Sequence, residues 1–346
     1  MATEKVEIGK ATLHWGDCLD LMKATADKTF DLAIVDPPYF EVKGEFDFVW
    51  PSFDAYLDDV RKWAKELRRI MKDSGSVFWW GNCKNIAYSQ IILDEYFNLE
   101  NSMIWEKKDS MQYQYYSPAL ARSFNTHTER LLYYSCEKEM TGREFIESEY
   151  IAPRNPFALY LTEEFKRAGV SNKQIAALFP SRTGGLTGCV SNWLNGTNVI
   201  TPEQYQKIRE FLGGDYLRRE YDELRREYDE LRRPFNNELK LTDVLSFSQQ
   251  SNETRQFPHP TQKAPRLSDA LVMVTGKPGG TAFIPFVGSG TEVISCLNFG
   301  MNVIGCELNP KYFAMAAERI RGALRQQSLF AAPAVPEQAD IFGKAA

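Results

Sequence analysis

Asp31-Leu32-Ala33-Ile34-Val35-Asp36-Pro37-Pro38-Tyr39 joins a short β-branched run to two consecutive prolines. Such a run, bounded by polar residues, reads as a buried strand. The prolines stop it, because they cannot donate to a ladder and resist an immediate helical turn. A carboxylate, a rigid pair of carbonyls and an aromatic ring are therefore presented together at the C-terminal end of a strand. In an open α/β sheet that edge is where ligands bind. Met in isolation, the same string also reads as a proline-stiffened loop.

The flanking sequence decides for the sheet. Ala11 to Trp15 reads as a strand that runs into Gly16-Asp17-Cys18 and a helix through Leu19, Leu21 and Met22. Asp17 either caps that helix or faces a ligand at the same edge as Asp36. Phe53 to Met71 is amphipathic, with Trp63, Leu67 and Ile70 at helical spacing. Ser76 to Trp80, Leu99 to Trp105 and Arg130 to Tyr134 read as strands, Asn85 to Phe97 as a helix, and Glu106 to Thr128 as a long loop near the ligand edge. Later, a helix from about Pro265 to Val274 precedes the strand Thr281 to Pro285. Phe286-Val287-Gly288-Ser289-Gly290-Thr291 follows, then a helix to Phe299 and the strand Asn302 to Cys306, which ends in Glu307. Strands alternating with helices predict a mostly parallel, doubly wound α/β sheet. A βαβ unit with glycines after its first strand and an acid at the end of its second suits an adenosine ligand. Glycines admit close backbone approach, and a carboxylate can accept both ribose hydroxyls. The loop has no Gly-Lys-Ser/Thr ending and no third glycine, which disfavours a nucleoside triphosphate and a dinucleotide.

Between these halves the texture changes. Thr162 to Gly169, Asn172 to Phe179, Gly188 to Leu194 and a stretch opened by Pro202 read as four short helices. The pattern around Val190-Ser191-Asn192-Trp193-Leu194-Asn195-Gly196 resembles a phage-repressor-like helix-turn-helix, and a small helical packing domain is the alternative. Here Arg154, Lys166, Arg167, Lys173 and Arg182 outnumber Glu163 and Glu164. Then Arg219-Glu220-Tyr221-Asp222-Glu223-Leu224-Arg225 recurs as Arg226-Glu227-Tyr228-Asp229-Glu230-Leu231-Arg232. Leu217, Tyr221, Leu224, Tyr228 and Leu231 line one helical stripe. Two heptads are too few for a free coiled coil, so the stripe is expected to pack on the main domain or on a second subunit, with Pro234 ending the helix.

Length and composition bound the function. The 346 residues suffice for a large α/β domain with an insertion, and the net charge of -5 means that any surface for a polyanion must be local. The six cysteines form no CxxC pair and the three histidines are scattered, which argues against a disulfide framework or a zinc site. Nothing at Met1-Ala2-Thr3-Glu4-Lys5 reads as a signal peptide and no apolar run would span a bilayer, so a cytoplasmic protein is expected.

Asp36-Pro37-Pro38-Tyr39 early, helices in the middle and Phe286-Val287-Gly288-Ser289-Gly290 late together resemble the β class of S-adenosylmethionine-dependent DNA amino-methyltransferases. Gly16-Asp17, Trp79-Trp80-Gly81 and His259-Pro260-Thr261-Gln262-Lys263 look like further landmarks, with Ala264 standing where the family usually has proline. The resemblance covers roughly residues 6 to 150 and 250 to 325. It implies a Rossmann-like, seven-stranded methyltransferase sheet in circularly permuted motif order. It further implies 1–150 as the catalytic half, 151–215 as a helical target-recognition insertion, 216–235 as the heptad spacer, 236–325 as the cofactor half and 326–346 as a flexible tail.

By the same resemblance, Asp36 and the Pro37 carbonyl accept hydrogens from an exocyclic amine, Pro38 stiffens them, and Tyr39 stacks on a base flipped from double-stranded DNA. The methyl donor S-adenosylmethionine would be held by Glu307 at the ribose and by Asp17 and Cys18 at the adenine. Phe286, Gly288, Ser289, Gly290 and Thr291 would meet the methionine end, with Thr261 and Lys263 assisting and Asp36 nearby. A tetrapeptide that starts with Asp leans to adenine N6 over cytosine N4. Arg182, Thr187, Ser191, Asn192 and Asn195 are the candidates for DNA contacts, with helix capping or solvated surface as the rival reading. A homodimer is plausible, because β-class members often pair. In the tail, Gln326-Gln327-Ser328-Leu329-Phe330 and Gln338-Ala339-Asp340-Ile341-Phe342 resemble the peptide that docks bacterial proteins on the sliding clamp; the alternative is chance, with Leu329 and Phe330 packing on the last helix. The rival functions are a catalytically inactive DNA-binding regulator and a methylase of RNA or of a protein glutamine.

Overall fold

Apolar side chains at every position force a strand into the middle of a sheet covered on both faces. Phe30–Val35 (β3) is apolar at every position but Asp31, and all of its residues are buried, the Asp31 carboxylate paired with Lys72 Nζ at 2.8 Å. Full burial of each large aliphatic side chain is worth roughly 1.5–3 kcal/mol, which makes this run an anchor of the fold. The structure, a computed structural model, describes residues 4–42, 47, 49–107, 126–136, 155–181, 183–231, 233–248 and 262–330.

Lys5–Ile8 (β1) and Ala11–Trp15 (β2) form an antiparallel hairpin, and Cys18–Ala24 (α1) leads to β3. Phe53–Ile70 (α2) starts at Ser52, whose hydroxyl accepts from the Ala55 N–H, and buries Tyr56, Val60, Trp63, Ala64, Leu67 and Ile70 along one face. Met71–Gly81 (β4) sends Trp79 and Trp80 to opposite faces, as the two-residue period requires, and the two rings enter different core clusters. Ile86–Leu93 (α3), Asn98–Lys107 (β5) and Thr128–Ser135 (β6) complete the first half.

Pro156–Arg167 (α4), Asn172–Ala176 (α5), Cys189–Leu194 (α6), Pro202–Leu212 (α7) and Tyr221–Leu231 (α8) form the insertion. They share a core of their own around Phe157, Leu161, Trp193, Tyr205, Ile208, Leu217 and Leu224. Leu217, Tyr221, Leu224 and Tyr228 of the heptad stripe are spent inside this core, with the Tyr221 ring 5.1 Å from Phe157. Leu217 itself precedes the helix with a positive φ of 49°, its N–H held by Glu164 Oε2 at 2.6 Å. The helix-turn-helix expectation meets a different connection. α5 and α6 have five and six residues, and residues 177–188 lie between them in place of a three- or four-residue turn. α4 also begins earlier than its apolar spacing suggests, because the Asn155 side chain caps it and Pro156 takes the first helical position.

Val244–Phe247 (β7), Pro265–Thr275 (α9), Thr281–Ile284 (β8), Thr291–Asn298 (α10), Asn302–Glu307 (β9) and Pro310–Phe330 (α11) return the chain to the sheet. Among the described residues the sheet has nine strands in the order β1-β2-β9-β8-β3-β4-β6-β5-β7. It is mostly parallel, with antiparallel pairing at β1–β2 and on both sides of β6. Seven strands were expected. The two extra are the four-residue edge strands β1 and β7, too short to show a period in sequence. β3 and β8 are neighbours at the centre. From β3 the chain winds outward to β4, and from β8 it winds the other way to β9. Their shared C-terminal edge is therefore a topological switch point. No helix among the described residues is long and apolar enough to cross a membrane.

Candidate active site

Asp36 leaves β3 at that switch point with a side-chain exposure of 21%, enough to be reached from outside. Pro37 and Tyr39 behind it are buried. Both carboxylate oxygens are engaged. Tyr39 Oη donates to Oδ1 at 2.7 Å and Lys263 Nζ donates to Oδ2 at 2.7 Å. The loop is pinned from below by Asp47, a buried residue whose Oδ1 accepts from the Tyr39 N–H at 2.5 Å. Tyr39 was expected to stack on a base. Here its ring is 7% exposed and belongs to the core, and its hydroxyl serves Asp36.

Lys263 stands just before α9 with a side-chain exposure of 1%. Its ammonium lies 2.7 Å from Asp36 Oδ2, 3.2 Å from Glu129 Oε2 and 3.4 Å from Tyr39 Oη, over the faces of Tyr39 and Trp80. The expectation for Lys263 was a place near the cofactor; the contact that the fold adds is the one with Asp36. Glu129, on β6, also pairs with Lys107 of β5. Burial pushes the Asp36 carboxyl up; Lys263 pulls it down, Glu129 pushes it up again, and the net shift is upward. Burial alone would lower Lys263, but Asp36 and Glu129 outweigh it and hold the ammonium charged. For Glu129 burial is outweighed by Lys263 and Lys107, so it stays below the usual glutamate range. Burial and the neighbouring Asp36 carboxylate push Tyr39 far up, so its hydroxyl keeps its proton.

The glycine turn occupies the adjacent strand end. Gly290 caps α10 with φ of 82°, a conformation open to glycine. Gly305 on β9 has room for nothing larger: an added Cβ would lie 2.6 Å from Val287 Cγ2, so the turn closes over β9 through it. Glu307 ends β9 with Oε2 accepting from the Gly288 N–H and Oε1 from the Asn309 N–H, each at 2.8 Å. Burial raises its pKa. Trp15 and Leu308, 39% and 69% exposed, lie next to it, with Trp15 Nε1 donating to the Leu308 carbonyl at 3.1 Å. A carboxylate rimmed by exposed apolar groups fits a nucleoside. Asp17 caps α1 by accepting from the Leu19 N–H at 2.8 Å, and the Gly16 N–H bonds the Glu307 carbonyl, so this loop stands at the same edge. Cys18 follows with its thiol buried.

Ser289 and Thr291, expected to face a ligand, turn their hydroxyls inward to Arg319 of α11. Its Nη1 donates to Ser289 O at 3.0 Å, Ser289 Oγ at 3.1 Å and Thr291 Oγ1 at 2.8 Å. Phe286 packs on Trp63, with ring centroids 5.2 Å apart. Glu129, Asp47 and Arg319 were missed by sequence reasoning. Two left a trace: Glu129 lies just before the apolar run Leu131 to Tyr134 of β6, and Arg319 lies between Ala316 and Ile320 on the buried face of α11.

The candidate DNA contacts divide. Ser191 is exposed and Asn192 half-buried on α6. Thr187 donates to the Phe179 carbonyl at 3.1 Å, and Asn195 Oδ1 accepts from the Thr197 N–H and hydroxyl at 3.1 and 2.6 Å, both local structural duties. Arg182, Thr261 and Gln338 to Phe342 lie outside the described residues.

The family model N6_N4_Mtase, described as DNA methylase, matches residues 30–318. Type II methyltransferase M1.MboII of Moraxella bovis is 24% identical over 317 residues, covering 90% of this chain and 96% of that protein. M.HinfI of Haemophilus influenzae is 22% identical over 338 residues, covering 93% and 71%. Among solved structures, the PvuII DNA methyltransferase, cytosine-N4-specific, superposes with a TM-score of 0.50 at 12% identity, covering 91% of this chain and 92% of that one, which is a likeness of fold.

Proposed function

Because the chain belongs to the N6/N4 DNA methylase family, we propose that it methylates the exocyclic N6 of adenine in duplex DNA after the base has been turned out of the helix. The observation that carries this reading is the pairing of β3 with β8, which sets Asp36-Pro37-Pro38-Tyr39 beside the glycine turn at one sheet edge.

S-adenosylmethionine, the methyl donor of this family, supplies a methyl group on a sulfonium leaving group. The residues present fit it: Glu307, rimmed by Trp15 and Leu308, would take the ribose and adenine, and the 286–291 turn the methionine end. The rest is positioning by the protein. An exocyclic amine is a poor nucleophile because its lone pair is delocalised into the ring. Asp36 and the Pro37 carbonyl accept its hydrogens, which favours a pyramidal nitrogen with the lone pair aimed outward. The ionised Asp36 also stabilises the positive charge that develops on that nitrogen. No proton needs to leave beforehand, so Asp36 acts as an orienting acceptor. Residues 151–215 serve target recognition, with Ser191 and Asn195, both exposed, and the half-buried Asn192 as candidates for base contacts.

The test is transfer of labelled methyl groups to duplex DNA, with RNA and protein as controls, followed by nucleoside analysis. N6-methyladenine supports the reading; N4-methylcytosine would move the specificity to cytosine, and no transfer to DNA would overturn it. Asp36→Ala is expected to keep cofactor affinity while losing about 100- to 1000-fold in rate.

A further inference from the structure

We propose that Glu129 is a positioning residue of this site: it divides the Lys263 ammonium between two carboxylates and so keeps Asp36 available to the incoming amine. The proposal rests on the functional reading above and adds a residue to it.

The geometry is the starting point. Asp36 Oδ1 is taken by the Tyr39 hydroxyl and Oδ2 by Lys263, so the acceptor that the amine needs is already hydrogen-bonded to a buried cation. A lysine held by Asp36 alone would neutralise it and compete for its lone pairs. Glu129 Oε2 lies 3.2 Å from the same ammonium and offers it a second anchor without leaving the pocket. Glu129 is itself fixed. Its other oxygen pairs with Lys107, whose backbone N–H bonds the His127 carbonyl at 3.1 Å and whose ammonium lies over the Trp105 ring. Trp80 and Tyr39 wall the ammonium with their ring faces, which stabilise a cation that can shift between the two carboxylates. When the amine arrives, Lys263 moves its hydrogen bond towards Glu129, and Asp36 Oδ2 becomes free to accept.

The charged and titratable groups facing Asp36 are Tyr39 on its own loop, Lys263 before α9, Glu129 on β6 with Lys107 behind it, and Glu292 on α10. Among them Glu129 raises the Asp36 pKa and Lys263 lowers it. Making Glu129 neutral removes the raising influence and gives the whole ammonium to Asp36. Two effects follow that a packing role would not produce together: the Asp36 pKa falls, and the transfer rate falls with it.

The experiment uses the full chain as wild type, Glu129→Gln and Glu129→Asp. Carbon-13 carboxyl NMR titration, with Asp36 assigned through Asp36→Asn, requires no substrate and reads the coupling directly. In Glu129→Gln the Asp36 titration is expected at lower pH. Single-turnover methyl transfer at saturating cofactor and duplex is expected to drop roughly 10- to 100-fold, with the acid limb displaced to lower pH and the cofactor Kd unchanged. Glu129→Asp, which keeps the charge one methylene further back, should fall between the two in both readouts and keeps the test open if the glutamine variant folds poorly. An Asp36 titration that does not move, or a wild-type transfer rate in Glu129→Gln, would overturn the proposal. Failure of the functional reading looks different: the wild type would transfer nothing to DNA, while the titration would still decide the link from Glu129 to Asp36.

Discussion

Glu292, in the first turn of α10, is a buried carboxylate placed among charges. Ser268 Oγ donates to it at 3.3 Å, and burial followed by repulsion from Asp36 raises its pKa. A carboxyl whose folded pKa is raised binds its proton more tightly in the folded state. Its contribution to stability is therefore greatest at low pH and is lost as pH rises through the folded value. Glutamine imitates the protonated form, so Glu292→Gln should be more stable than the wild type at pH 8, by on the order of 1 kcal/mol or about 2 °C in Tm. The gain should shrink as the pH approaches 4. Thermal unfolding at the two pH values checks this, and a Tm that falls at pH 8 would show that the charge of Glu292 is needed. Asp36 carries the same sign with an opposite consequence. Its raised pKa hinders ionisation, so methyl transfer should decline on acidification at a higher pH than an ordinary aspartate would give.

At the scale of elements, the glycine turn between β8 and α10 is rigid because α11 reaches it. Arg319 is 4% exposed and bonds the Ser289 carbonyl and two loop hydroxyls, while Gln262 Nε2 donates to Thr291 Oγ1 at 3.4 Å from the segment that bears Lys263. The turn is thereby tied to the segment that bears Lys263 and to the last helix. Loss of one charge-assisted bond is worth about 1.5–3 kcal/mol, roughly ten- to a hundredfold in an equilibrium constant. Arg319→Met should therefore weaken S-adenosylmethionine binding at least about tenfold, with duplex affinity retained, as calorimetry and gel shift would show. Unchanged cofactor affinity would mean that the turn holds its shape without α11. The sequence displayed the Gly288-Ser289-Gly290 turn but not the Arg319 contacts of its hydroxyls. The reason is physical: side chains beside a ligand loop look alike in sequence whether they point to the ligand or to the scaffold, and only the position of α11 decides between them.

At the scale of the molecule, two kinds of core coexist. The sheet buries its apolar strands under helices on both faces, while the five insertion helices close around Phe157, Trp193, Tyr205 and Leu224. Separate cores predict separable damage. Trp193→Ala removes a ring that is 3% exposed and packs against Phe179 at 5.3 Å. It should cost roughly 3–5 kcal/mol within the insertion, abolish specific duplex binding and leave S-adenosylmethionine affinity at the wild-type value. Parallel loss of both would show that the insertion and the sheet unfold as one unit. The repeat over 219–232 belongs to the same lesson. Its stripe is legible as a heptad, yet its partner is α4 in the same chain, because Leu217 and Tyr221 meet Phe157 before any second molecule is needed.

What the sequence determined by itself is what local chemistry determines. Short apolar runs made strands, two prolines stopped β3 at Asp36, and the glycines before α10 with an acid at the end of β9 marked a candidate nucleoside site. What only the tertiary structure decided is which distant residues share that edge. Lys263 was placed on Asp36, Glu129 and Lys107 arrived from antiparallel strands, and Tyr39 was turned into the core with its hydroxyl on Asp36. Charges buried in one pocket set one another's protonation and hydrogen bonds across long chain separations, and no local pattern carries that coupling.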